Sequence, residues 1–288
     1  MIHIGLFEGI GGFSIAAHEA GWQTVATCEI ADFPRSVLKH HLPKAYHHQD
    51  IHTLTYDTIN TELSARFGQN WRHRDVVLTG GWPCQPFSDM GKRKGDQDER
   101  HLWPEMLRTI REIRPAWVVG ENVLGLVNWS AGMVFEQVCS DLEAEGYQVQ
   151  AYVIPAAGCG APHTRERVWV VAYNAANANC NGLEGGIPTD IDRQQPCSQG
   201  DSQERVSLYR NEIPFEGFPT QSPVCAGNDG LSEELDNRTL LEGKKRRGEH
   251  HAYNHWRRES VKAYGNAIAP PVALQIFKTI NDFNQQTK

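Results

Sequence analysis

No two of the seven cysteines in this chain stand as a Cys-x-x-Cys pair. That absence removes the usual spacing of a zinc site, and the odd number leaves at least one thiol outside any disulfide framework. No apolar run approaches the roughly 20 residues that a membrane span needs; Val168 to Tyr173 is among the longest. The first residues, Ile2 to Phe7, have no basic segment followed by a long apolar stretch. They read as a buried strand and not as a signal peptide, and the expected location is the cytoplasm. Positive charge is also in short supply, since 28 Lys and Arg against 35 Asp and Glu leave a net charge of −7. Phosphate contact then requires cations gathered locally. Between Arg238 and Arg258 seven Lys or Arg stand against two Glu, and both a solvated face and a nucleic-acid contact are open readings of that stretch.

What is present is the composition of an ordinary globular protein, 40% hydrophobic and 22% charged, which excludes disorder and fibrous architecture. A chain of 288 residues has room for one large core and a smaller attached module. Up to about residue 172, short β-branched runs alternate with amphipathic stretches, the pattern of an α/β fold with a doubly wound, mostly parallel sheet. Strands are expected at His3 to Phe7, Thr24 to Glu29, Asp75 to Thr79, Trp117 to Glu121, Tyr147 to Ile154 and Val168 to Tyr173, with a weaker one ending near Asp50. Phe13, Ala16, Ala17 and Ala20 repeat at helical spacing, with Gly21 as the stop. Further helices are expected at Pro34 to His40, Thr58 to Phe67, Trp103 to Ile113 and Val134 to Glu145. After Tyr173 the chain turns polar and rich in Asn, Gly and Pro, a small irregular module without a sustained period. Periodicity returns over Ala263 to Phe283, where Pro270 and Pro271 precede a helical run, Val272 to Ile280.

The segment Phe7-Glu8-Gly9-Ile10-Gly11-Gly12-Phe13 places three glycines where the first strand meets the first helix. Such a loop turns sharply and lets a nucleotide-like ligand approach the backbone. Ser14 stands where Gly-x-Gly-x-x-Gly would need its last glycine, so a dinucleotide dehydrogenase is the lesser reading. Glu29 falls at the end of the second strand, where a carboxylate accepts hydrogen bonds from ribose hydroxyls, and Asp50 could accept from an adenine amino group. Singly, each is an ordinary surface acid; with the loop they describe an adenosine site without a pyrophosphate.

Gly80-Gly81-Trp82-Pro83-Cys84-Gln85-Pro86-Phe87-Ser88 follows the strand ending at Thr79, at the edge where doubly wound sheets place their chemistry. A lone cysteine is usually a small buried hydrophobe. Prolines on both sides of Cys84-Gln85 stiffen the turn and present the thiol, which packing alone does not require but a nucleophile does. Glu121-Asn122-Val123 ends the next strand, so the Glu121 carboxyl is a candidate proton donor beside that thiol. Arg165-Glu166-Arg167 supplies cations at the same edge, although each of these charges would singly read as surface.

Together these residues resemble the cytosine-5 DNA methyltransferase family, apart from the module at about 173 to 260. The resemblance implies a Rossmann-like catalytic and cofactor-binding domain over 1–172, a target-recognition module over 173–260, and a segment over 261–288 that returns to the catalytic domain. The implied cofactor is S-adenosylmethionine, held by Phe7, Gly9, Ile10, Gly11 and Gly12, by Glu29 and Ile30, and by Asp50 and Ile51. Pro83 and, from Tyr264-Gly265-Asn266-Ala267-Ile268-Ala269-Pro270, Asn266 and Ala267 complete that pocket. Cys84, Glu121, Arg165 and Arg167 become the catalytic set, and Gln85, Ser88 and Asn122 the contacts to the base. Gly5 stands where the family has Asp before Leu-Phe, His163 where it has Gln, and Ala267 where Ser is common. The implied partner is double-stranded DNA, with methylation of tRNA and an inactive DNA-binding relative as the rivals. Compact size suggests a monomeric bacterial or phage modification enzyme, for which a cognate restriction endonuclease is the natural second partner. No metal and no membrane contact are expected.

Overall fold

The structure is a computed structural model that describes residues 1–68, 71, 75–83, 102–128, 132–161, 163–174 and 247–286, with side chains from 256 onward in the last stretch. The chain divides into two compact units, Met1–Asn211 with Ile268–Lys288, and Glu212–Ala267.

The first unit carries a seven-stranded sheet. Its strands are β1 (Ile2–Leu6), β2 (Gln23–Cys28), β3 (Tyr46–His48), β4 (Val76–Gly80), β5 (Trp117–Val123), β6 (Tyr147–Pro155) and β7 (Glu166–Asn174), in the order β3-β2-β1-β4-β5-β7-β6. Neighbours are parallel except β7, which is antiparallel to both β5 and β6. The expected mostly parallel, doubly wound sheet is what forms, with strand ends displaced by a residue or two. The larger displacements are at β5, which runs on through Asn122 and Val123, and at β7, which takes in Glu166 and Arg167.

β1 is buried along its whole length, as a central parallel strand covered on both faces must be. Ile2, Ile4 and Leu6 enter the main apolar cluster with Leu78, Ile59, Leu63, Met106 and Ile110. The polar exception is His3, whose ring nitrogens each lie 2.9 Å from a threonine hydroxyl, Thr24 and Thr79. Burial lowers its pKa from 6.5 to about 3, so the ring is neutral and its buried nitrogens are satisfied.

The helices are α1 (Gly12–Glu19), α2 (Asp32–His41), α3 (Tyr56–Phe67), α4 (Trp103–Ile113), the single turn α5 (Gly125–Asn128), α6 (Met133–Ala144), α7 (Arg247–Asn266) and α8 (Pro270–Gln286). α4 follows its sequence pattern closely: Pro104 sits in the first turn, where its missing N–H costs nothing, and Met106, Leu107, Ile110 and Ile113 form the buried face. α8 covers α1. Phe277 stacks on Trp22 at 4.3 Å between ring centroids and lies 6.5 Å from Phe13. Asn281 accepts from Trp22 Nε1 at 2.7 Å and donates to the Ala20 carbonyl at 2.9 Å. Phe277 is fully buried, so Phe277→Ala is expected to cost about 3–5 kcal/mol in urea denaturation. A cost below about 0.5 kcal/mol, the range of surface substitutions, would contradict this packing.

In the second unit the described element is α7, which the sequence reading did not anticipate within the irregular module. Its three histidines and glycines near both ends hide the helical period. The rest of the module, including the basic residues Lys244 to Arg246, lies outside the described residues. No helix among the described residues is long and apolar enough to cross a membrane.

Candidate active site at the switch point of the sheet

From β1 the chain moves outward through β2 to β3, then returns to β4 on the other side of β1. Loops leaving β1 and β4 therefore diverge and open a crevice at their carboxyl ends, the usual ligand position in such sheets. Leu6 pairs with Gly80, so the glycine loop and Gly81-Trp82-Pro83 leave the sheet side by side.

Gly9 and Gly11 take left-handed backbone conformations, φ 59° and 96°, and Phe7 does so at 51° despite its side chain. Strain of that kind persists where surrounding structure enforces it, commonly at ligand sites. The Gly9 N–H donates to Glu29 Oε2 and the Ala31 N–H to Glu29 Oε1, both at 2.8 Å. Each carboxylate oxygen keeps a lone pair for a ligand hydroxyl. Beside it Ile30 is 61% exposed, an apolar surface suited to one face of a planar ring. Arg35 secures this turn by donating to the carbonyls of Glu29 and Ile30 at 3.1 and 3.0 Å. Asp50 Oδ1 accepts from the His52 N–H at 3.0 Å, and Ile51 is buried. That turn is held from α4 by Arg108, which donates to the carbonyls of Ile51 and Leu54 at 2.7 and 2.8 Å and pairs with Glu105 and Glu112. A carboxylate fixed at the glycine loop, an exposed isoleucine and a second acid beyond β3 fit an adenosine-bearing ligand.

Glu8, inside the glycine loop, is 4% exposed. Its Oε1 accepts from Ser14 twice, from N–H at 2.8 Å and Oγ–H at 2.6 Å, while Oε2 has no hydrogen-bond partner. Burial, reinforced by the nearby Glu29 carboxylate, pushes its pKa from 4.5 up to about 7 against the opposing Ser14 bonds. The folded state thus binds the proton more tightly than the unfolded chain. The stability this group contributes is full below about pH 4.5 and is lost as the pH rises through about 7, a change of about 3 kcal/mol. Glu8→Gln does not titrate. Relative to the parent, its unfolding free energy is expected to increase by roughly that amount between about pH 4 and 8; a pH-independent difference would refute it.

On the β4 and β5 side, Asn122 is buried: its amide donates to the Trp82 carbonyl at 3.2 Å, and its Oδ1 accepts from the Val123 N–H at 2.9 Å. It fixes the loop immediately before the exposed Pro83. Glu121 is 8% exposed, and a Cβ built on Gly81 would lie 3.5 Å from its Oε2, so the carboxyl faces the chain three residues before Cys84. Arg167 Nε stands 3.1 Å from Glu121 Oε1, an ion pair in which the N–H is not aligned on the oxygen. Burial raises the Glu121 pKa in spite of Arg167 and Arg165. Arg165 has φ 23°, and burial and Arg167 lower its pKa while Glu121 raises it. Cys84, Gln85 and Ser88 lie outside the described residues. The described cysteines are Cys28, Cys139 and Cys159, and burial raises the thiol pKa of each, at Cys28 to about 12. None of these three has the depressed pKa of a reactive thiolate.

The sequence profile of the family described as C-5 cytosine-specific DNA methylase matches residues 1–237. The chain belongs to this family. Type II methyltransferase M.AplI of Arthrospira platensis is 32% identical over 176 residues, 61% of this chain and 46% of that protein. Type II methyltransferase M.AquIA of Picosynechococcus sp. is 35% identical over 178 residues, 58% of this chain and 70% of that protein. The matched region thus spans about half the length of M.AplI. The crystal structure of a DNA modification methyltransferase encoded within an E. coli prophage shares the fold, with a TM-score of 0.51 at 24% identity over 61% of this chain and 47% of the other.

Within this methylase fold, the loop residues Phe7 to Gly12, Glu29, Ile30, Asp50, Ile51, Pro83, Glu121, Asn122, Arg165 and Arg167 belong to one unit. Asn266 ends α7 and Ala267 donates to the Tyr264 carbonyl at 3.3 Å; both belong to the second unit. The sequence reading missed three contributors. Ile268 would lie 2.6 Å from a Cβ on Gly12 and 3.7 Å from one on Gly81, so it fills the space between the two loops. Arg108 holds the Asp50–Ile51 turn; its flanking Glu105 and Glu112, at i−3 and i+4, were the available signal. Glu8 carried no signal, because its role depends on Gly5.

Proposed function

We propose that this methylase transfers a methyl group from S-adenosylmethionine to carbon 5 of a cytosine in a specific duplex DNA sequence, through a covalent Cys84 adduct. The observation that carries this reading is Glu121: a buried carboxyl with raised proton affinity, ion-paired to Arg167 and facing the loop that leads to Cys84.

Cytosine carbon 5 is too weak a nucleophile to take a methyl group unaided. The Cys84 thiolate forms a bond to carbon 6 while Glu121 delivers its proton to ring nitrogen 3, leaving an enamine with electron density at carbon 5. S-adenosylmethionine, when bound, supplies an electrophilic methyl group. Carbon 5 takes that methyl group, with S-adenosylhomocysteine as the leaving group, and then gives up its proton to solvent; the carbon 6–sulfur bond breaks, the thiolate leaves, and nitrogen 3 returns its proton to Glu121. Arg165 and Arg167 hold the base and favour thiolate over thiol. Gln85, Ser88 and Asn122 meet the base, and Asn122 also fixes the loop through the Trp82 carbonyl. Glu29 receives the ribose hydroxyls, Asp50 the adenine amino group, and Ile30 one face of the ring.

Attack on carbon 6 is blocked within a stacked duplex, so the base must be flipped out. Residues 85–100 are polar, and Lys92, Arg93, Lys94 and Arg100 among them are cations of the kind that phosphate contact requires. The module at 173–260 reads the sequence, and Lys244-Lys245-Arg246-Arg247 contacts the DNA backbone without specifying bases. The relatives are Type II methyltransferases, which supports a restriction endonuclease as a functional partner, with cytoplasmic location.

Duplex DNA carrying 5-fluorocytosine tests the covalent step. Fluorine cannot leave carbon 5 as a proton does, so the sulfur–carbon 6 bond cannot be broken after transfer. A complex of protein and DNA that survives denaturation only when S-adenosylmethionine is present is the expected result. Its absence on mixed-sequence DNA that the enzyme methylates would overturn the covalent mechanism.

A further inference from the structure

The Glu8 side chain leaves the glycine loop and folds back over β1. A Cβ at Gly5 would lie 2.7 Å from the Glu8 carboxyl carbon and closer still to Oε2. No real Cβ tolerates such an approach, so the Glu8 carboxyl occupies the volume that any side chain at position 5 would take. In the sheet Gly5 pairs with Thr27 on one side and Thr79 on the other, which places that volume over the middle of the parallel sheet, beneath α1. The same carboxyl binds Ser14 at both N–H and Oγ. Ser14 lies in the first turn of α1, whose N-cap is Gly11 and has no side-chain cap. Glu8 therefore supplies the acceptor that the helix start otherwise lacks. Meanwhile the Gly9 N–H, next to Glu8, donates to Glu29, so displacing the Glu8 backbone would also move the amide that orients the ribose acid. A buried carboxyl with one oxygen unpartnered is costly to keep, and an apolar side chain would fill the same space without that cost.

We propose that Gly5 and Glu8 form one unit, in which a carboxyl delivered from the loop over a strand position without a side chain fixes the start of α1 and thereby sets the shape of the cofactor loop. Glu8 is a positioning residue, acting on the cofactor through Ser14 and Gly9. Its consequence for cofactor binding rests on the S-adenosylmethionine reading above; its consequence for the loop does not. Because positions 5 and 8 share one volume, they are exchangeable only together. An aspartate at position 5 would place its carboxyl in the space vacated by Glu8→Ala, one bond beyond a Cβ already within 2.7 Å of the present carboxyl carbon.

The test compares Glu8→Ala, the carboxyl exchange Gly5→Asp/Glu8→Ala, and the space-filling control Gly5→Ala/Glu8→Ala. Amide hydrogen exchange at Ser14 is measured in the protein without cofactor, and S-adenosylmethionine binding by calorimetry. Glu8→Ala is expected to speed exchange at Ser14 and to weaken binding, each by about ten-fold. The exchange variant should recover most of both, and the control should recover neither. Equal behaviour of the exchange variant and the control would overturn the proposal, as would unchanged Ser14 protection in Glu8→Ala. Failure of the parent protein to bind S-adenosylmethionine would instead sink the cofactor assignment, with the Ser14 readout still deciding the loop.

Discussion

Replacing Cys84 with serine is expected to lower methyl transfer by about 10⁴-fold or more, the scale seen when a covalent nucleophile is removed from an intact site. A serine hydroxyl is far less nucleophilic than a thiolate and carries no fraction of anion at neutral pH. Nothing among the described residues gives position 84 a part in shaping the cofactor loop, so the affinity for S-adenosylmethionine should stay within about two-fold of the parent. Adduct formation with 5-fluorocytosine DNA should disappear. Residual adduct in the serine variant would move the nucleophile elsewhere. Cys28, Cys139 and Cys159 are poor candidates, since burial holds each thiol protonated.

Glu121→Gln is the second large effect, with an expected loss of about 10²- to 10⁴-fold in kcat. The amide keeps the shape of the side chain but has no proton to give to nitrogen 3. Burial raises the Glu121 pKa, which keeps more of the acid protonated at a given pH than an exposed glutamate would be. Because the protonated form is the active one, kcat/KM of the parent should fall as pH rises through that raised value, and the glutamine variant should lack that limb. Arg167→Met removes the ion pair with Glu121 along with its contacts to the base, so the position of the limb is the diagnostic readout: if proton donation is the role of Glu121, Arg167→Met raises the pH of the limb without removing it. An unchanged limb in Glu121→Gln would assign the titration to another group.

Much of this site was legible because each feature was local in the chain. The glycine loop and the acid that follows β2 announce themselves through backbone demands that few residue types meet, while the proline-flanked cysteine lies outside the described residues. α4 was readable to its ends because its buried face repeats at helical spacing between a proline start and Arg114, which takes a left-handed conformation at its close. What escaped were effects across the chain. Ile268 touches the space above Gly12 and Gly81, some 250 and 190 residues away in sequence; the motif from Tyr264 to Pro270 contains it, but nothing local says which loops it meets. The absence of a side chain at Gly5 looked like a departure from the family, whereas in the fold it makes room for Glu8. α7 was hidden because its surface-type residues and histidines carry no clean apolar stripe, which is the signal that sequence reading relies on.

The measurement that bears most directly on the proposed reaction is the identity of the methylated product. The parent protein would be incubated with mixed-sequence duplex DNA, or with tRNA, and methyl-labelled S-adenosylmethionine, and the nucleic acid digested to nucleosides. Label in 5-methylcytosine from DNA, present with the parent protein and absent with Cys84→Ser, is the predicted result. Label confined to tRNA, or to a base other than cytosine, would contradict the assignment, and cofactor binding without transfer to either nucleic acid would mark the chain as an inactive relative.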